Sequence, residues 1–340
     1  MADKRLWVAR TAMRNDWLDQ VQEEIIDPDR EIVDPHHHLW NRGGSTYEMA
    51  ELWSDTGSGH NVVETIFIEC FAEYRPDGPD HLKPVGETEY VAGLVNAAGP
   101  GGARVTGIVA HADLRLPLQQ LDEVLDAHKA ASGGRFRGIR HAGAHEPNPE
   151  ALAIPGRGTP GQYQDPDFQR GVAHLGEQGL TYDTWHYHLQ NQDFIALAKA
   201  APGTTLILDH LGTPLGVGQY AGQRDQIFAA WKDDMAALAE CPNVVAKLGG
   251  LAMPDNGYGW HDRDRPPSSD ELVEVQGDWY RHMIACFGPD RCMFESNFPV
   301  DRLSIGYPVL WNAFKKIGAG YDTAAQNAMF AGTARRVYNL

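Results

Sequence analysis

A chain of 340 residues with 42% hydrophobic residues, 9 Trp and 12 Tyr can bury the core of one large domain. Its formal charge of −17 excludes nucleic acid and anionic membrane surfaces as partners, because the long-range field repels both; a small anionic ligand held by local Arg and His stays open. No apolar run nears the ~18 residues of a spanning helix and no secretion-type N-terminus is present, which excludes membrane insertion. Four cysteines without paired spacing (Cys70, Cys241, Cys286, Cys292) read as reduced thiols, so the expected location is the cytoplasm.

Residues 1–30 come first, with Trp17, Leu18, Val21 and Ile25 at helical spacing, and predict an N-terminal helical extension packed on a main domain of residues 31–340. Apolar β-type runs then begin near Glu31, Val62, Arg104, Arg135, Leu180, Thr204, Asn243 and Arg291. Short continuous runs of this kind are what strands buried on both faces look like. Amphipathic stretches over 86–99, 117–131, 165–178, 190–201, 224–240 and 268–287 separate them, and 307–317 and 322–338 follow the last. Pro117 starts one helix, while Asp165-Pro166 and Ser268-Ser269-Asp270-Glu271 have the chemistry of N-terminal caps. Strand–helix alternation repeated eight times predicts an α/β protein of the (β/α)8 TIM-barrel type. An open doubly wound sheet is the competing arrangement, but it uses fewer units and a glycine-rich phosphate turn. No such turn follows a strand here, so no nucleotide cofactor is expected.

The first run leads directly into Asp34-Pro35-His36-His37-His38-Leu39-Trp40. Residues two apart on a strand share a side, so His36 and His38 converge while His37 faces away. Two imidazoles on a rigid strand end suit a divalent metal or a pair of proton carriers. Other strand ends carry Glu69, His111 with Asp113, Arg140 with His141, His186 and His188, Asp209-His210, Lys247 and Glu295-Ser296-Asn297 with Asp301. Burying ionisable groups at so many strand ends costs several kcal/mol each unless they are paired, and a polar pocket explains them economically. Taken singly, His111 with Asp113 also suits a loop-holding pair, Glu69 a partner for a histidine, and Lys247 a structural partner of a carboxylate. Arg140 is the natural fork for a substrate carboxylate. Three segments longer than a barrel needs (40–61, 141–164 and 249–267) follow strands and fall on the C-terminal face. Their aromatic residues, Trp40 and Tyr47 among them, suit the walls of a substrate site and equally a homodimer interface.

Asp34-Pro35-His36-His37-His38-Leu39-Trp40, Leu208-Asp209-His210-Leu211-Gly212 and Phe294-Glu295-Ser296-Asn297-Phe298-Pro299 together resemble the amidohydrolase superfamily. The closer resemblance is to its lactonase branch, that of the 2-pyrone-4,6-dicarboxylate and sugar-acid lactonases. It implies a distorted (β/α)8 barrel whose site uses a first-strand His-x-His pair, histidines of the fifth and sixth strands, and an eighth-strand aspartate. Those positions read His36, His38, His188 with His186 beside it, His210 and Asn297. Two departures stand out: Arg140 replaces the metal-bridging lysine of binuclear members, and Asn297 replaces the aspartate. A carboxamide takes no proton from water and is a poor metal ligand. The expectation is therefore one divalent metal (Zn or Mn) held weakly by His36 and His38 with His188 and His210, or none. The alternative is that Asp301, four residues on, supplies the missing carboxylate.

The function expected is a hydrolase opening a lactone, or another activated ester or amide, of a small carboxylated or hydroxylated compound. His210, His188 or Asp301 activates water, Asn297 completes the catalytic set, and Arg140, His111, Lys247, Glu69, Trp40 and His186 contact the substrate. Two alternatives remain: a metal-dependent non-oxidative decarboxylase or hydratase of an aromatic or enol acid, and a barrel that binds a ligand without catalysis.

Overall fold

Eight parallel strands each pair with their chain neighbour in the computed structural model, which describes residues 14–42 and 44–340. The strands are Glu31–His37, Asn61–Ile68, Arg104–Ala110, Phe136–Arg140, Thr181–Thr184, Leu206–Leu208, Val244–Leu248 and Cys292–Phe294. Each begins within about two residues of its predicted start, the margin at which strand ends are usually defined. The ring closes through a single bridge between His37 and Phe298, where the His38 amide donates to the Phe298 carbonyl at 2.8 Å. That short closure makes the (β/α)8 barrel a distorted one. Pro35 has no amide proton for the ladder, and the register of the first strand shifts between Asp34 and His37.

The predicted helices form at Val85–Ala98, Leu118–Ala131, Pro166–Glu177, Asn191–Ala200, Arg224–Ala239, Ser269–Phe287 and Tyr307–Gly318. The Asp165 side chain caps one, accepting from the Asp167 amide, and Ser268 with Glu271 forms a capping box on another. The last predicted helix is broken into Thr323–Asn327, a π-turn over Ala328–Gly332, and Thr333–Tyr338. In the described part of the N-terminal extension only Asn15–Leu18 is helical, with Trp17 and Leu18 buried. The expected continuation to Ile25 is replaced by chain tied down by side chains. Asn312 receives the Ile26 amide at 2.9 Å, and Glu23 accepts from the Ser269 amide at 2.7 Å. Residues 1–13 of the predicted extension lie outside the described residues. Segment 40–61 is not a plain loop: it holds a hairpin of Trp40–Arg42 with Ser45–Tyr47 and a helix, Met49–Thr56. Among the described residues no helix is long and apolar enough to cross a membrane.

Two apolar layers result. One packs the helices on the outside of the strands. The other joins Val33, Ile66, Ile68, Val109, Ile207, Val245 and Met293 from opposite strands, and so fills the barrel interior. Ala331, Ala334 and Tyr338 of the C-terminal segment complete that interior layer from below.

Candidate active site

Side chains two apart on a strand share a face, so one step beyond the interior apolar layer the same strands raise a different set of groups. Val245 is followed by Lys247, Ile207 by Asp209, Met293 by Glu295 and Val109 by His111. Gly138 and Thr181 lead in the same way to Arg140 and Asp183. The result is a buried ionic layer. Lys247 Nζ lies 2.8 Å from Asp183 Oδ2 and 3.1 Å from Asp209 Oδ1. Arg140 Nε lies 2.8 Å from Glu69 Oε1, and its Nη1 lies 3.3 Å from Asp209 Oδ2. The Tyr338 hydroxyl donates to Asp183 from beneath. Burial opposes the charges of Arg140 and Lys247, but their carboxylate partners more than offset it and both stay cationic.

Three imidazoles stand over this layer. His36 lies between Lys247 at Nδ1 and Arg140 at Nε2, each 3.3 Å away, with Glu295 Oε2 2.8 Å from Nδ1. Burial, reinforced by Lys247, holds its pKa well below the usual range, so the ring is neutral. A proton on Nδ1, facing Glu295, leaves Nε2 to accept from Arg140. His210 donates its Nδ1 proton to Glu295 Oε1 at 2.7 Å, and its amide reaches the same oxygen at 3.2 Å. His38 donates its Nδ1 proton to the Ile68 carbonyl at 2.8 Å, and burial with Arg140 nearby keeps it neutral. His38 and His210 both line the cavity, and in each the remaining nitrogen, Nε2, carries the lone pair. Burial would raise the pKa of Glu295, but the imidazoles of His210 and His36 hold it at about 2.

Glycines make this crowding feasible. A Cβ on Gly250, whose φ is +74°, would lie 2.3 Å from His210 Nδ1, and one on Gly249 would lie 2.2 Å from the Glu295 carbonyl oxygen. His210 and Leu211 adopt φ of 54° and 55°, so a strained turn aims the imidazole.

The mouth is a cavity of about 500 Å³. Trp40, Glu69, His111, Arg140, His38, His210 and Asn297 line it, as the sequence led us to expect, while His36 and Lys247 sit one shell below. Other predicted residues lie elsewhere. The fifth strand ends at Thr184 with Asp183 as its inward group, so His186 falls beyond the strand and bonds Asn191 Oδ1 at 3.1 Å and the Tyr163 hydroxyl at 3.2 Å. His188 enters a 3₁₀ turn, accepts from the Leu215 amide at 3.3 Å and packs against Tyr220. Neither lines the cavity, and the fifth-strand imidazole expected from the resemblance is missing from the floor. Asp301 stands behind Asn297, accepting from Asn297 Nδ2 at 2.9 Å and from the Ala252 amide at 3.2 Å. Burial pushes its pKa up to about 7. Arg140, expected as a substrate fork, is committed to Glu69, Asp209 and His36. Sequence reasoning noted Asp209 and Glu295 at strand ends without giving them a role and left Asp183 out of the site, although counting by two from Ile207, Met293 and Thr181 finds all three. It gave no role to His141 and did not single out Arg42 and Arg157, which also stand in the cavity wall.

Among the described residues one donor set has metal-site spacing: ligand atoms of His36, Asp209 and His210 lie within 4.8 Å of one another. Imidazole and carboxylate suit zinc or manganese, and Glu295 behind both rings is the usual outer partner of metal-bound histidines. The layer also sets four buried carboxyl groups, Glu69, Asp183, Asp209 and Glu295, against two cations, and a dication balances it. The residues fit such an ion, which would share His36 and Asp209 with Arg140.

The amidohydrolase family profile matches residues 33–340. The chain belongs to the amidohydrolase family. This amidohydrolase is 31% identical over 323 residues to the uncharacterized protein y4mH of Sinorhizobium fredii, covering 91% of this chain and 98% of that one. To the L-fucono-1,5-lactonase of Burkholderia multivorans it is 27% identical over 330 residues, covering 91% and 96%. A Burkholderia multivorans amidohydrolase solved with bound zinc superposes with a TM-score of 0.69 at 26% identity, over 91% of this chain and 99% of that one. With the lactonase relatives, family membership makes this amidohydrolase a hydrolase, and a divalent metal is usual in the family. The reading of a barrel without catalysis is set aside.

Proposed function

We propose that this amidohydrolase opens a lactone, or a comparably activated ester, of a small organic acid. The observation that carries the reading is the Glu295–His210 pair under the cavity: a buried carboxylate fixes the imidazole tautomer, leaving Nε2 as a base. His210 Nε2 takes a proton from water as the oxygen bonds to the carbonyl carbon. The second Nδ2 proton of Asn297, whose amide Asp301 orients, stabilises the oxyanion, with the positive charge of the internally bonded Arg140 beneath it. When the ring C–O bond breaks, the departing alkoxide recovers the proton from His210 and a hydroxy acid leaves.

His36, Asp209 and His210 would hold a divalent ion. Such an ion supplies Lewis-acid polarisation of the carbonyl and a more acidic water. With His210 so engaged, His38 and His111, whose Nδ1 protons go to the Ile68 and Arg140 carbonyls, keep an Nε2 lone pair at the cavity. The lactonases among the relatives support the reading.

The test is acid release from a panel of lactones by protein prepared with chelator, with zinc or with manganese. Acid release above background that falls at least ~100-fold in His210→Ala is the expected result. No release under any metal condition, or carbon dioxide release from aromatic acids instead, would overturn the reading and favour the decarboxylase alternative.

A further inference from the structure

Resting on the lactone-hydrolase reading, we infer that Asp255 is a positioning residue: its buried carboxylate, together with the Tyr187 hydroxyl, latches the strap 153–157 that walls the cavity and so sets how tightly substrate is held.

The strap cannot hold itself. Ala153-Ile154-Pro155-Gly156-Arg157-Gly158-Thr159-Pro160 sets two prolines and two glycines into eight residues, and no helix or strand forms over 152–159. Backbone N–H groups without a ladder must find partners elsewhere. Ala153 donates its amide proton to Asp255 Oδ1 at 2.6 Å, and Ile154 donates to Asp255 Oδ2 at 3.0 Å. Pro155 has no amide proton. The Gly156 amide donates to the Tyr187 hydroxyl at 2.7 Å, and that hydroxyl donates in turn to the Ile154 carbonyl at 3.1 Å. From 153 to 156 every amide proton therefore ends on one of two remote side chains.

The anchors are stiffer than the strap. Asp255 is 1% exposed and belongs to the turn Pro254–Asn256, after the seventh strand. Its carbonyl accepts from the Gly216 amide at 2.9 Å, and Asn256 Nδ2 donates to the Pro214 carbonyl at 2.8 Å. The turn is thus bound to the connection after the sixth strand, so closely that a Cβ on Gly216 would lie 2.2 Å from the Asn256 carbonyl oxygen. Tyr187, fully buried, follows the fifth strand. Neither Asp255 nor Tyr187 lines the cavity, whereas Ala153, Ile154, Pro155, Gly156 and Arg157 all do. None of the groups placed in the reaction, His210, Asn297, Arg140 and His38, belongs to the strap. The position of the strap therefore governs contact with the body of the substrate rather than proton transfer.

The experiment uses the full chain as wild type, Asp255→Asn and Tyr187→Phe. A carboxamide has one acceptor oxygen, so its NH2 opposes one of the two strap amides, while phenylalanine removes the hydroxyl alone. Amide hydrogen exchange over 152–158 should quicken about tenfold or more in each variant, with the barrel strands keeping their protection. With dihydrocoumarin and L-fucono-1,5-lactone as probes, KM should rise at least about fivefold while kcat stays within about threefold of wild type. A role in stability alone would lower the melting temperature and the active fraction and leave KM unmoved. If D255N does not fold, Y187F carries both readouts. Strap exchange unchanged in the folded variants, or quickened exchange at unaltered KM, would overturn the inference and leave lactone hydrolysis standing. Should wild type open neither lactone, it is the hydrolytic reading that fails, and exchange alone then decides whether Asp255 holds the strap.

Discussion

Glu295→Gln is the substitution that tests the catalytic geometry most directly. The wild-type carboxylate faces two Nδ1 protons at once, from His210 at 2.7 Å and from His36 at 2.8 Å. Its pKa of about 2 against the ordinary 4.5 corresponds to about 3 kcal/mol of preferential stabilisation of the ionised form, at 1.36 kcal/mol per unit. Because the folded value is the lower one, this contribution is complete above about pH 4.5 and is lost as pH falls toward 2. Glutamine offers one acceptor and one donor, so its NH2 must oppose one of the two imidazoles. If that ring is His210, the proton moves to Nε2 and the cavity loses its base. A wrong tautomer of this kind costs roughly 10²–10⁴ in kcat. Long-range proton–nitrogen spectra read the tautomer of each ring without any substrate, and lactone hydrolysis with a thermal melt reads the rest. A folded E295Q protein whose His210 keeps its Nδ1 proton and whose rate stays within about threefold of wild type would refute the reasoning.

His37 faces the outside of the first strand, fully buried, and neither ring nitrogen finds a well-formed hydrogen bond; burial pushes its pKa down to about 3. Since the unfolded chain protonates first, near 6.5, stability falls as pH drops from about 6.5 toward 3, by about 1.4 kcal/mol per unit from this residue alone. His37→Phe should remove that slope, so its advantage over wild type in urea unfolding should be about 3 kcal/mol larger at pH 4.5 than at pH 7; an equal difference at both would count against it. Gly250→Ala places a methyl group 2.3 Å from His210 Nδ1 at a φ of +74°, so it should lower the melting temperature and depress hydrolysis by at least ~10². Unchanged hydrolysis in G250A would mean that the His210 position is not what the rate depends on.

Much of the barrel was legible because its signal is local. Runs such as Thr65-Ile66-Phe67-Ile68 and Thr205-Leu206-Ile207-Leu208 are short, continuous and rich in β-formers, as strands buried on both sides are, and polar caps mark helix starts such as Asp165 and Ser268. The first-strand histidines and His210 were legible for the same reason, since they end such runs. What was not legible depends on register and on distant contacts. Whether the fifth strand offers Asp183 or His186 to the interior turns on where it stops, and the stop at Thr184 is set by pairing with the sixth strand at Leu208. Asp301 and Asn297 are four residues apart in a segment without periodicity, so nothing local says that the amide takes the front place. The short helix Asn15–Leu18 shows the same limit: Val21 and Ile25 keep helical spacing, yet the chain there is held by Asn312 and Ser269 from remote helices. Arg42 and Arg157 reach the mouth on a hairpin and a long connection whose paths depend on the whole barrel.

Tyr338 acts as a stopper at the closed end of the barrel, with its hydroxyl on Asp183 and its ring 5.6 Å from Lys247 Nζ. By keeping solvent out from underneath, it holds the local dielectric low around every charge pair above, and those attractions scale inversely with that quantity. Chemistry at one mouth of the barrel thus depends on how tightly the opposite mouth is corked. Trimming or crowding the final helical turn would hydrate the ionic layer and slacken the imidazoles without touching any group that meets the substrate.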